Sequence, residues 1–185
     1  MNKTEQIFKS LQGYSEDQEA LPPVEDWNPE FCGDIDITIK ANGDWLHHGS
    51  IIKRQALYVL FSKLLVKTDQ QYFLVTPVEK LAIQVEWMPF SIQDFELVDV
   101  SGLKSFLMID NCGNKILLSK PEQLKLSQFD GLELPIVQIR RNLFASFSRS
   151  CYYRLIDQAK LVEKNGNTYA KIQSAGIDFY LGSCE

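Results

Sequence analysis

The stretch Asp34–Lys40 alternates without a break: Ile35, Ile37 and Ile39 fall on one side, Asp34, Asp36, Thr38 and Lys40 on the other. Successive side chains of a strand point to opposite faces, so a period of two describes a strand with one buried face. Ala41-Asn42-Gly43-Asp44 follows, and Asn-Gly accepts the positive φ that tight turns demand. Trp45-Leu46-His47-His48 is then the returning strand, with the three isoleucines expected to point inward. Gly49 breaks it, and Ser50 is placed to cap a helix from Ile51 to about Leu65.

The same rhythm continues along the chain. Val66-Lys67 and Tyr72–Thr76 read as a second hairpin that ends at Pro77. Leu81–Trp87 alternates again and closes at Met88-Pro89-Phe90, a natural domain boundary. Phe95–Val100, Ser105–Asp110 and Lys115–Ser119 read as strands, with turns at Ser101-Gly102 and Asn111–Asn114. A short helical piece is expected over Pro121–Phe129, a strand over Leu132–Arg140 and a helix over Ser150–Lys160. Tyr169–Gln173 and Ile177–Leu181 are the final pair, beside turns at Asn165-Gly166-Asn167 and Ala175-Gly176. Mixed helix and strand with sequential hairpins predicts an α+β chain built on antiparallel sheets.

Sliding the chain by 97 residues lays 34–75 over 131–172 without a gap. Identities are few (Ile39, Leu46, Lys63, Leu64, Lys67 and Tyr72 in the first copy), but the order of elements repeats. The reading is an internal duplication giving two related small domains, 30–90 and 91–185. Ahead of them, residues 1–29 hold an amphipathic helix over Asn2–Gln12 and an acidic, proline-containing linker over Ser15–Pro29.

Composition limits the function classes. Apolar residues make up 45% and charged residues 23%, which excludes a disordered or fibrous chain. Residues 1–34 carry two lysines against eight acids, a net of −6; the remainder carries 17 basic against 16 acidic side chains, a net of +1. A body that neutral lacks the clustered positive charge that duplex nucleic acid requires. No apolar stretch approaches the roughly 18 residues of a membrane span. Four cysteines (32, 112, 151, 184) and two histidines (47, 48) include no CxxC pair, which argues against zinc and against a disulfide framework. With no signal-peptide core at the start, the expected setting is the cytoplasm with reduced thiols.

Few residues point to chemistry. No GxGxxG, no GxxxxGK motif and no GxSxG elbow are present, so no cofactor, phosphate cradle or nucleophile is indicated. Arginines are scarce but clustered: Arg54 stands alone, while Arg140, Arg141, Arg149 and Arg154 fall within fifteen residues. Ser50–Arg54 and Ser150–Arg154 each place a hydroxyl four residues ahead of an arginine. If both hydroxyls cap helices, each arginine lies one turn beyond an anion-receptive helix N-terminus. The ordinary alternative is that these arginines pair with carboxylates of the body. Trp45 and His47, two apart on one strand face, offer rings to a planar ligand, with a core tryptophan as the bland reading. Thr76 and Glu79 flank the Pro77 bend, where they serve to cap neighbouring backbone or to meet a ligand.

The residues Cys32-Gly33-Asp34-Ile35-Asp36-Ile37, Asn42-Gly43-Asp44-Trp45, His47, Gly49, Ile52, Arg54 and Leu60-Phe61 resemble a bacterial family, the domain of unknown function 1285. So do Tyr72–Lys80, Val85-Glu86 and Pro89-Phe90, and, more weakly, Arg149, Tyr152 and Tyr153. The resemblance implies a duplicated α+β core whose C-terminal half is similar to pleckstrin-homology folds. It implies a nucleotide-like ligand in the cleft between the domains and a signalling role, and it supplies no catalytic residue. The expected ligand contacts are then Trp45, His47, Arg54, Thr76 and Glu79 in the first half. In the second they are Arg140, Arg149, Tyr152 and Arg154. The expectation is a non-enzymatic sensor for a small anionic ligand. Its alternatives are a protein-interaction adaptor with a pleckstrin-homology-like half, and a nucleotide hydrolase using Glu79 or Asp36 as base.

Overall fold

The computed structural model describes residues 21–164 and 166–184. The expected helix over Asn2–Gln12 lies outside the described residues. They divide into two compact units: 21–40 with Asp44–Glu86, and Ala41–Gly43 with 87–184. Both are built mostly of strands, with one α-helix each among the described residues.

The first unit runs β1 (Phe31–Ile39), β2 (Trp45–His47), β3 (Ser50–Ile51), α1 (Gln55–Lys63), β4 (Leu65–Thr68), β5 (Gln71–Val75) and β6 (Lys80–Val85). Its six-stranded sheet has the order β3-β2-β1-β6-β5-β4. Ile37 pairs with His47 and Ile39 with Trp45, and the three isoleucines of β1 are buried as their alternation requires. Around them pack Trp45, Phe61, Leu64, Leu65, Leu74, Leu81 and Ile83.

The helix differs from the sequence reading. His48 and Gly49 both take positive φ (48° and 72°), which makes a two-residue turn and sends Ser50-Ile51 back as β3 against β2. Ser50 is therefore in a strand and caps nothing. Helix α1 starts at Gln55 after an extended Arg54, with no side-chain cap.

The second unit runs β7 (Phe90–Val100), β8 (Leu103–Asp110), β9 (Lys115–Leu117), a 3-10 turn (Pro121–Gln123), β10 (Leu124–Phe129), β11 (Leu132–Arg140) and β12 (Leu143–Phe147). It continues with α2 (Arg149–Ile156), β13 (Lys160–Lys164), β14 (Asn167–Ser174) and β15 (Ile177–Cys184). A six-stranded sheet has the order β10-β11-β12-β7-β8-β9, and β13-β14-β15 form a sheet of three. The expected helix over Pro121–Phe129 is only the 3-10 turn, because Leu124–Phe129 pairs along its whole length with β11. Helix α2 begins one residue earlier than expected. Ser148, not Ser150, caps it by accepting a hydrogen bond from the Cys151 amide (3.3 Å).

The six-stranded sheets are mixed rather than antiparallel. In the first unit the chain leaves β1, passes through four strands and the helix, and returns as β6 parallel to β1. In the second, β12 lies parallel to β7. The order strand, strand, helix, then three strands recurs in β1–β6 (with β3 as an addition) and in β11–β15 with α2. Strands β5 and β6 fall on β14 and β15 at a shift of 97, but β6 is joined to β1 in one sheet while β15 stays in a separate sheet of three.

Buried Ser174 links the two sheets of the second unit. Its hydroxyl accepts from the Phe106 amide (2.8 Å) and donates to the Leu118 carbonyl (2.5 Å). Beside it the Ala175 amide donates to the Lys104 carbonyl (3.1 Å). These bonds hold β14 against β8 and shape the concave surface described next.

Candidate functional site

Within the second unit, a cavity of about 510 Å³ lies where β7 and β8 meet β14, β15 and the chain leaving α2. That is within the usual size range of small-molecule sites. Register places its apolar part. Leu97 stands directly opposite Phe106 in the β7–β8 ladder, so the two share a face. Phe106 (5% exposed) and Ile172 (2%) form a buried floor, while Leu97 (51%) and Leu103 (50%) are left half in solvent. Phe95 supports the floor, its ring 5.5 Å from that of Phe106.

The polar part is unequally charged. Lys104, Lys160 and Lys171 line the cavity with a single carboxylate, Asp178, and two amides, Gln158 and Gln173. Asp178 bonds the Lys171 ammonium (2.8 Å) and the Gln173 amide (3.4 Å). That hydrogen bond holds the Lys171 pKa above its ordinary value, so this lysine stays charged. Neither Lys104 nor Lys160 forms an ion pair among the described residues. The cavity thus joins an apolar floor to a surplus of positive charge.

The expected ligand contacts lie elsewhere, five in the first unit and four in the second. Trp45 is a core residue, its ring 6.3 Å from Phe61. Thr76 is buried in its turn, where its hydroxyl accepts from the amides of Val78 (3.3 Å) and Glu79 (3.0 Å), and Glu79 sits half-buried beside it. The His47 ring lies 4.2 Å from that of His48, tilted by 42°, and His48 Nδ1 lies 2.9 Å from Asp36 Oδ2. Burial first, then the neighbouring His48, lowers the His47 pKa. Arg54 is exposed at the start of α1.

In the second unit, Arg154 donates to Asp94 (2.7 Å) and covers the Phe95 ring at 5.3 Å. It takes the ordinary alternative of an arginine paired with a carboxylate, and it holds the Asp94 carboxyl below the usual range. Arg149, the first residue of α2, is exposed over Tyr153 (5.8 Å). Tyr152 donates its hydroxyl to the Leu181 carbonyl (3.5 Å). Arg140 lies over the Phe90 ring (5.1 Å) and attracts the buried Asp110. Asp110 accepts from the amides of Cys112 and Asn114 (2.9 Å each) and from the Asn114 side chain (2.6 Å), yet burial still raises its pKa.

Burial also pushes the Cys151 thiol up to about 11, which leaves it un-ionised near neutral pH. Among the described residues no group of three His, Cys, Asp or Glu side chains is arranged to hold a metal ion. No helix of the described residues is long and apolar enough to cross a membrane.

The sequence reading missed the lysine-lined cavity because its walls come from three separated stretches: 97–106, 158–160 and 171–178. One local signal was present. Leu97 and Leu103 flank the Ser101-Gly102 turn, close to a strand end where an apolar side chain has little to pack against.

Residues 22–88 match the family model for the N-terminal domain of a domain of unknown function, DUF1285. Residues 89–181 match the model for the C-terminal domain of the same family. A crystal structure of a DUF1285 family protein from Silicibacter pomeroyi is similar with a TM-score of 0.77 and 31% identity, covering 89% of each chain. Another, from Shewanella baltica, is similar with a TM-score of 0.51 and 28% identity, covering 66% of this chain and 91% of that one. No curated protein matches this chain.

Proposed function

This chain belongs to the DUF1285 family, and from that premise we propose that it is a non-enzymatic binding module for a small anionic ligand. The observation that carries the reading is the cavity of about 510 Å³ in the C-terminal unit, where three lysines face one carboxylate. Ammonium groups gathered around one concave surface raise the local positive potential and draw an anion more strongly than a single isolated charge. A nucleotide phosphate or a carboxylate meets that requirement. In this reading the C-terminal unit is a pleckstrin-homology-like module that reports its ligand to a signalling partner, although form alone brings no ligand.

Several features support a binding module over a catalyst. The Cys151 thiol is pushed to about 11, and Thr76 Oγ1 is engaged with its own turn. The Asp36–His48 pair stands on an exposed strand end with no walls to exclude water.

The test is a thermal-shift panel of nucleotides, inorganic phosphate and carboxylates on the purified chain, repeated with Lys104→Ser and Lys160→Ser. An anion present at 100 times its Kd adds about 2.7 kcal/mol of stability, a shift of several degrees. The reading expects at least one anion to give that shift and both variants to reduce it. An unshifted panel, or shifts that ignore both lysines, refutes it.

A further inference from the structure

We infer that the ligand of this cavity is a soluble single-chain amphiphile, an anionic head joined to an unbranched aliphatic tail. The inference rests on the anion-binding reading above and adds the chemistry of the rest of the molecule. Two half-exposed side chains that line the cavity, Leu97 and Leu103, present apolar surface that a purely hydrophilic anion would leave wet. Leu97 and Leu103 are half exposed although each is rooted in a regular antiparallel ladder, and a tail held in the cavity that both line removes part of that surface from water. Phe106 and Ile172 are already buried by the protein, so the floor offers a recess with no exposed ring face for a nucleobase to stack on. The cavity has no arginine fork for bidentate phosphate recognition. Its lysines act as point charges that accept a carboxylate or a phosphate monoester alike.

Charge and shape together choose the soluble form over a bilayer surface. The lysines and the apolar side chains line one recess of about 510 Å³, which suits one chain with its head. A membrane-inserting loop would instead carry its apolar side chains on a protruding tip with the charges behind them.

The experiment titrates the full chain with butyrate, hexanoate, octanoate and decanoate below their micelle concentrations. Inorganic phosphate and AMP serve as tail-less anions, and vesicles of phosphatidylcholine with phosphatidylglycerol as the lipid arm. Each methylene that enters the recess is expected to tighten binding about three- to fourfold. Leu97→Asn and Leu103→Asn should flatten that dependence, Lys160→Ser should weaken every member of the series by a similar factor, and the exposed Leu132→Asn should change nothing. If phosphate or AMP binds and the carboxylates show no chain-length dependence, the amphiphile inference fails while the anion-binding reading stands. If no anion binds, both fail. Binding to vesicles without binding of any soluble carboxylate overturns the inference in favour of a lipid surface.

Discussion

Replacing Ser174 with alanine removes one oxygen and leaves two buried backbone groups without it. In the native unit this hydroxyl accepts from the Phe106 N–H at 2.8 Å and donates to the Leu118 carbonyl at 2.5 Å, and the residue is fully buried. A buried donor or acceptor that loses its partner costs about 1–3 kcal/mol. The N–H has no second way to be satisfied, whereas a carbonyl tolerates the loss of one partner better. The expected total is therefore about 2–4 kcal/mol. For a chain of this size that corresponds to a fall in Tm of roughly 4–16 °C. Urea unfolding of Ser174→Ala should show a lower midpoint at an unchanged slope, with the exposed Ser183→Ala as a control expected within about 0.5 kcal/mol of wild type. A loss below about 0.5 kcal/mol for Ser174→Ala would refute the reasoning, since it would mean the Phe106 amide finds another partner.

Gly43 has φ +91°, and a Cβ there would lie 2.8 Å from the Ser91 Cβ. Gly43→Ala should cost at least about 1–2 kcal/mol in chemical unfolding, and a neutral result would remove the close approach. Burial raises the Asp110 pKa, so its contribution to stability is full below the ordinary carboxylate value near 4 and is lost as pH rises through the raised folded value. Stability of wild type relative to Asp110→Asn should accordingly fall across that window, and a flat difference would contradict the sign. Arg154→Ala should let the Asp94 carboxyl return upward towards the usual range in an NMR pH titration, whereas an unmoved Asp94 would mean the pair is not formed in solution. Iodoacetamide near neutral pH should label exposed Cys32 in the native protein and spare Cys151, whose thiol is pushed to about 11, until unfolding; early labelling of Cys151 would contradict its burial.

Local chemistry was legible wherever it decided structure by itself. Ile35, Ile37 and Ile39 read as one buried strand face, and the structure buries all three. Ser101-Gly102 reads as a turn, and both residues adopt the positive φ of a two-residue hairpin connection. His48-Gly49 takes the same positive φ but read only as a strand break, because the strong two-residue hairpin signals are Asn-Gly, Asp-Gly and Gly-Gly. That misreading moved the helix start and gave Arg54 a capped helix it does not have. Leu124–Phe129 became a strand because β11 pairs with it, a tertiary effect that local spacing does not contain. The parallel pairings β1–β6 and β12–β7 join residues far apart in the chain, so no local pattern announces them. The cavity had the same problem: Lys104, Lys160 and Lys171 come to line one recess only when Ser174 and Ala175 fasten β14 to the β8–β9 edge.

The most direct test of the binding account is an amide chemical-shift titration of the full-length, isotope-labelled chain with octanoate. The account predicts saturable shifts concentrated at Leu97, Lys104, Phe106, Lys171, Ile172 and Gln173, with the amides around Arg54 and Thr76 unmoved. Shifts clustered around Arg54, His47 and Trp45 instead, or no saturable shift at any concentration below the micelle limit, would contradict it.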